Sequence, residues 1–402
     1  GIAFLPQGFH LSVSWQAAWQ KRQMDVTNQL FNMNANNQSA SRFFEGEAKA
    51  PVIPSFQAAY VINDKWSVSA QFAVGGGGGE CEFAEGLPMF EELVGGQLVG
   101  AQAASYGLSQ NLTGKQFFYG FQVGATYRLT DNFSVFGGAR GVLANCAYEG
   151  AISNITANGV AAGSYLSGVK AMVDAGLAQL EPVKDVAGYK EQYQQLAAQS
   201  AALAQGAALL GSDFNLDCAQ SGFGITPIIG LDWNLGKLNL AAKYEFRTKI
   251  NLENDSENTS ANVTALMPAY KDGAKVRSDI PAILTLGAQY QFTDAVRVMG
   301  GFHYYWDKDA KGTPIKKGDN TWEANLGTEW DVNDKILLSL GGQRTQYGFD
   351  DADMADTNFN ISSTAICLGG AYKFSEKMKL NVGYMHSFYD DHKFTNANGT
   401  AC

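Results

Sequence analysis

The side chains able to do chemistry in this sequence are few and mostly cationic. Arg140, Lys243, Arg247, Arg297 and His303 each sit in a run where apolar and polar residues alternate. Alternate residues of an extended chain share a face, so the polar members of each run line one side of a sheet. From Lys237 to Lys249 that side reads Lys237, Asn239, Ala241, Lys243, Glu245, Arg247, Lys249. A guanidinium there is suited to hold a carboxylate through a charge-assisted, bidentate pair, and Arg140 and Arg247 are the best placed to do so. The same residues also read as a ladder of Arg and Lys against Asp and Glu that fills a polar interior. Catalytic patterns are missing: there is no His-Glu-x-x-His, no Gly-x-Ser-x-Gly, and the one glycine run lacks the Lys-Ser/Thr of a phosphate loop. His10, His303, His386 and His392 are dispersed without metal-ligand spacing. Ser387 beside His386 would point to the opposite face of a strand. The chain is therefore read as no enzyme, with no catalytic residue, metal or cofactor.

The elements that must position these residues repeat one device: about ten alternating residues, a short polar turn, then alternation again. Phe56, Ala58, Tyr60 and Ile62 lead into Asn63-Asp64-Lys65 and then Trp66, Val68, Ala70, Phe72 and Val74. Equivalent hairpins turn at Thr130-Asp131-Asn132, Gly236-Lys237, Thr293-Asp294, Asn333-Asp334-Lys335 and Ser375-Glu376-Lys377. The tight turns alternate with long segments near 26–50, 80–113, 151–212, 251–276, 307–319 and 346–357. A sandwich would need short loops at both ends. Short turns at one end and long loops at the other predict an antiparallel transmembrane β-barrel over residues 1–402, all-β and a single domain. Tyr60, Trp66, Tyr127, Phe133, Trp233, Phe292 and Trp330 cluster beside the tight turns, where a girdle at one membrane interface belongs. Thirteen strands count out from Phe9–Val26 onward; bacterial barrels have even numbers, so thirteen of fourteen are expected to be visible, the last absent.

Two stretches break the pattern. Gly75 to Gly79 follow the run Trp66–Val74 and, on their own, read as a flexible linker. At the end of a strand in lipid, unpaired backbone costs several kcal/mol per group, so the run must bend inward as a breach in the wall. The segment 151–212 carries Leu166, Val169, Val173, Leu177 and Leu180 at helical spacing, a break at Pro182, and a second stripe from Val186 to Leu210. It predicts two amphipathic helices in one extracellular loop, packed on each other as a cap or exposing a greasy surface.

Composition narrows the partners. A net charge of −10 without a basic stripe excludes a nucleic-acid backbone. No apolar run reaches the ~18 residues of a spanning helix. Cys81, Cys146, Cys218, Cys367 and Cys402 are scattered, with no C-x-x-C pair, so any disulfide pairing stays open.

With that architecture in place, the sequence resembles the outer-membrane long-chain fatty-acid and hydrophobic-compound transporters of the FadL and TodX type, from about Phe9 to His386. The most specific stretches are Pro54 to Trp66, Gly124 to Ser134, Tyr244 to Ile250, and Tyr384-Met385-His386. The resemblance implies a Gram-negative outer-membrane protein, a monomer in outer-membrane lipid, whose ligand is a fatty acid or an aromatic hydrocarbon. It implies capture between the third and fourth extracellular loops, binding inside the barrel, and lateral exit at a kink in the third strand, where Gly75, Gly76, Gly77, Gly78 and Gly79 fall. Arg140, Arg247, Lys243 and His303 would then meet a carboxylate. Phe136, Val142 and Met299 would meet the acyl chain or simply pack the lumen. The family's N-terminal hatch should precede the first strand, where only Gly1 to Gly8 stand in this sequence, so hatch-dependent gating stays open. A non-specific diffusion porin and a surface-binding adhesion barrel are the alternatives.

Overall fold

The computed structural model describes residues 2–313, 315–393 and 395. Strands β1 (Gly8–Thr27), β2 (Ser41–Val61) and β3 (Trp66–Phe83) precede helix α1 (Pro88–Gly100). β4 (Tyr106–Thr130), β5 (Phe133–Ala157) and the two-residue β6 (Val160–Ala161) lead into a helical hairpin, α2 (Ala162–Leu180) and α3 (Lys190–Leu209). β7 (Phe214–Leu235), β8 (Leu238–Glu245), β9 (Asn251–Asp255), α4 (Ala261–Leu266) and β10 (Lys275–Arg277) follow. The rest is an up-and-down series: β11 (Ile283–Gln291), β12 (Val296–Tyr305), β13 (Trp322–Asp331), β14 (Ile336–Gln346), β15 (Ser363–Ser375) and β16 (Met378–Tyr389). All sixteen belong to one sheet, and thirteen form its path, β1-β2-β3-β4-β5-β7-β8-β11-β12-β13-β14-β15-β16. These are the thirteen strands that the alternation predicts.

The hairpins form where side chains close the turns. Asn63 accepts from the amides of Lys65 and Trp66, both at 2.9 Å, and Asn333 does the same for Lys335 and Ile336. Such Asx turns explain why Asn recurs at these corners. One face of the sheet is apolar and open: Phe121, Val123, Leu231, Leu326 and Leu340 are all about half exposed or more. The opposite face carries Gln122, Arg140, Glu245, Arg297 and Glu323. Polar-in and apolar-out is the reverse of a sheet folded against a watery exterior, and it matches a barrel wall. The sheet curls far enough for its end strands to meet, since Gln20 of β1 donates to the Tyr389 hydroxyl of β16 at 3.0 Å. Arg22 of β1 also donates to the Phe359 carbonyl at 2.6 Å and lies over its ring. Among the described residues β1 and β16 share no ladder.

Aromatic pairs mark both rims of the apolar face. Trp66–Tyr127 and Phe133–Trp233 stand beside the tight turns. Tyr244–Trp306 and Phe302–Trp322 form a second belt toward the long loops. Trp330 and Trp322 lie eight positions apart on β13, roughly 27 Å of extended chain before tilt.

Three departures from the sequence expectation have physical causes. β3 does not end at Val74; it continues to Phe83, because glycine can still pair with β4 through two register slips, at Val74/Gly76 and Gly77/Gly79. Gly77 has φ +64°, and a Cβ there would run into the Gln116 carbonyl. On the other side the ladder to β2 passes from Ala73↔Ser55 directly to Glu80↔Lys49, so 74–79 and 50–54 share no ladder pair. Pro51 and Pro54 lie opposite the glycines and have no N–H to offer. Secondly, the run 237–249 is interrupted after Glu245, and the chain turns across the interior to place Thr248, Ile250 and Leu252 in buried positions. Gly222 and Gly224 permit this, since a Cβ on either would strike the crossing backbone. Thirdly, β5 runs to Ala157, so the helical part of 151–212 begins only at Ala162.

The main apolar core lies at the long-loop end, where the helices pack on the ends of β4, β5 and β7. Val94 and Leu98 of α1, Tyr106, Ile152, Leu166 of α2, Leu203 of α3, Phe214 and Val263 of α4 pack into one cluster. A smaller one joins Val26, Phe31, Phe44, Phe83 and Leu87. At the opposite end, residues 2–4 form a single turn whose Ala3 carbonyl accepts from Arg128, and Phe4 lies under that guanidinium. Cys81, Cys146, Cys218 and Cys367 are free thiols; Cys402 lies outside the described residues.

Candidate functional site

Helix α1 shapes an apolar space at the long-loop end. It starts at Pro88, whose fixed φ suits the first helical position. One face, Glu91, Val94, Gly95 and Leu98, is buried. Glu91 is fully buried and carries the anchoring: it pairs with Arg42 at the start of β2 and accepts from Asn34 at 3.0 Å, Tyr106 at 2.8 Å and Gln110 at 3.1 Å. Four donors from three chain segments compensate a charge that would otherwise be costly to bury. Gly95 lets the helix close on the Tyr106 ring, where a Cβ would sit at 3.1 Å.

The other face of α1, with Met89, Phe90, Leu93, Gly96 and Gln97, covers a cavity of about 470 Å³. Its remaining walls are Leu112 of β4, Gly150 to Ile152 of β5, Phe214 and Leu216 of β7, Val263 and Leu266 of α4, and Met267 just after it. Apolar cavities of about 150 Å³ stay dry and take up benzene, so this one has room for a larger apolar molecule. The only charged side chain in the lining is Glu92, whose carboxylate accepts from Asn28 at 3.0 Å. Just outside, Asp356 from the 347–362 loop accepts from the Met89 amide at 2.7 Å. Burial pushes the Asp356 carboxyl up, the Met89 amide opposes, and the charge of Glu92 adds to the rise. Replacing Arg42 with Met removes one partner of a buried pair, a change expected to cost about 3–5 kcal/mol locally. Hydrogen exchange should then accelerate across 88–100 while the amides of β12 to β15 stay protected.

The residues singled out from the sequence lie elsewhere. Arg140 reaches across β7 to Glu245 at 2.8 Å and to Gln122 at 2.9 Å, and Lys243 joins the same carboxylate at 2.6 Å. Arg247 instead faces Asp279 at 3.6 Å, which Arg277 also engages. His303 stands 3.1 Å from Glu323, beside the Tyr305 hydroxyl. Arg297 bridges Glu329 and Asp331. Arg140, Lys243, Arg247 and Arg297 are therefore each already matched to a carboxylate of the chain, as in the ladder reading, and His303 contacts another. Phe136 lies across Gly124 and Gly138, and Met299 packs beside Gly327. Val142 is buried against the inward crossing at Ile250 and Leu252. None of these residues lines the cavity under α1, whereas Gly75 to Gly79 stand at the ladder break. What the sequence reading missed is α1 itself. Pro88 followed by Met-Phe-Glu-Glu-Leu-Val is a helix-start pattern inside the long segment 80–113.

The class this geometry defines is an antiparallel barrel wall with a helical cap, and solved structures share it. A Pseudomonas aeruginosa FadL homologue aligns at 12% identity over 100% of this chain and 87% of its own, with a TM-score of 0.58. The Pseudomonas putida toluene transporter TodX aligns at 14% over 100% and 88%, TM-score 0.55, and the Ralstonia pickettii toluene transporter TbuX at 13% over 99% and 87%, TM-score 0.51. These likenesses establish a common fold. No protein-family model matches the sequence, and no curated protein sequence matches it.

Proposed function

We propose that this chain is an outer-membrane transporter that takes up hydrophobic compounds. The ligand enters the apolar cavity beneath α1, passes into the barrel, and leaves sideways at the break between β2 and β3. The single observation that carries the reading is the pairing of two features in one molecule. An apolar cavity of about 470 Å³ opens at the long-loop end, and a glycine-lined stretch of wall without ladder bonds to its neighbour lies below it. Backbone groups that lack sheet partners are excluded from lipid unless water, protein or a ligand serves them, so such a break is a functional device rather than a fault. The fold shared with TodX, TbuX and a FadL homologue supports the same reading, as does the apolar outer face between two aromatic belts. The protein acts as a monomer in the outer membrane of a Gram-negative cell, with the long loops outside.

The test is uptake by cells that express the protein and lack their own hydrophobic-compound transporter, paired with planar-bilayer recording. The expected result is uptake of a labelled aromatic hydrocarbon or long-chain alcohol above background, with little steady ion conductance. Steady conductance without hydrophobic uptake would make the protein a diffusion porin. Surface binding that is lost with residues 151–212, without any uptake, would make it an adhesion barrel.

A further inference from the structure

The cavity under α1 combines a greasy lining with an acidic mouth. Among its lining residues Glu92 is the only ionisable one, and Lys, Arg and His are missing from that lining. A helix N-terminus is normally where an anionic headgroup finds backbone N–H groups and a favourable dipole. Here the Met89 amide in the first turn of α1 is already bonded, at 2.7 Å, to the Asp356 carboxylate. Arg42, the cation that pairs with α1, is engaged by the buried Glu91 on the opposite face of the helix. An entering carboxylate would therefore pass Asp356 at the edge and shed its water into a lining that offers the like charge of Glu92 and no cationic side chain, an arrangement that disfavours the charged form.

We propose that this cavity selects uncharged hydrophobic molecules and turns away carboxylates, with Glu92 and Asp356 as the specificity-determining pair. The inference rests on the transport reading above and names its ligand class: neutral hydrocarbons, alcohols and esters rather than fatty-acid anions. The two carboxylates act in different ways. Glu92 presents charge to the lining itself, and Asp356 occupies the helix terminus that a ligand anion would otherwise use.

The experiment compares two probes of equal chain length, radiolabelled 1-dodecanol and dodecanoate, at pH 7.5 in cells expressing the full chain. Rates are read above those of cells without it. The wild type is expected to take up dodecanol at least ~10-fold faster than dodecanoate, the discrimination of a site that leaves a buried charge unpaired. In Glu92→Gln, Asp356→Asn and the double variant, that ratio is expected to fall, most in the double variant. Asp356→Asn keeps an oxygen for the Met89 amide, so the cap stays folded. Heat-modifiable migration on gels confirms a folded barrel in each case. Equal uptake of both probes by the wild type overturns the selectivity and leaves the transport reading standing. A ratio unmoved in the folded double variant overturns the assignment to this pair. If neither probe enters above background, the transport reading fails and this inference falls with it.

Discussion

Replacing Gly75 to Gly79 with Val-Thr-Val-Thr-Val is expected to lower uptake of a hydrophobic probe by roughly tenfold or more while the sheet still assembles, because it refills a ladder that bulges now interrupt. β3 keeps its bonds to β4 across the glycines by slipping twice, and it shares no pair with β2 between Ala73↔Ser55 and Glu80↔Lys49. Side chains cannot follow that path: a Cβ at Gly77 would meet the Gln116 carbonyl, and one at Gly79 would lie 2.9 Å from the Lys49 carbonyl. The replaced strand must straighten, pair with β2 and close the wall. Uptake that survives in a folded, inserted variant would remove the exit role from this stretch. Pro51 and Pro54 opposite limit how many bonds can form, so a second variant adds Pro51→Val and should deepen the loss.

The second large effect concerns Gly96. It sits mid-helix on the cavity side of α1, and a Cβ there would meet nothing within 4 Å. Gly96→Leu is therefore expected to stabilise α1 by roughly 0.8 kcal/mol through helix propensity. At the same time its side chain enters the cavity. Gly96→Ala, Gly96→Leu and Gly96→Trp should lower uptake in order of side-chain volume, with thermal stability unchanged or raised. Activity falling while stability holds separates a blocked site from a damaged fold. Equal uptake across the series would show that ligand does not pass beneath α1.

Much of the wall was legible in the residues alone. Asn63 and Asn333 announce their turns, alternation sets which side chains face out, and Leu326 or Phe121 on one face with Glu323 or Gln122 on the other follows directly. The partners across the interior were not legible. Arg140 finds Glu245 by reaching over a whole strand, and that depends on the register of β7 and on Thr226 and Ile228 lying between them. Nor does alternation show the inward crossing after Glu245. Its cause is a local one, Gly222 and Gly224 on β7 yielding space and Pro227 having no amide to extend the ladder. The cavity escaped for a third reason: α1 and α4 are short, and each supplies only part of a lining that β4, β5 and β7 complete. The second aromatic belt was in the sequence at Tyr244, Trp306 and Trp322, and goes unnoticed until the ladders align those residues.

The placement of the main apolar core at the long-loop end has a consequence for how the molecule responds to its surroundings. The cap around Leu98, Leu166, Leu203 and Phe214 is held by water, through the same hydrophobic effect as a soluble domain. The wall is held by backbone bonds that water never reaches once lipid covers its outer face. The two halves thus answer to different solvents. Cooling weakens the first through its heat capacity and leaves the second nearly untouched, and moderate urea does likewise. A calorimetric trace of the inserted protein should accordingly resolve a cap that melts at both cold and hot extremes above a wall that outlasts it.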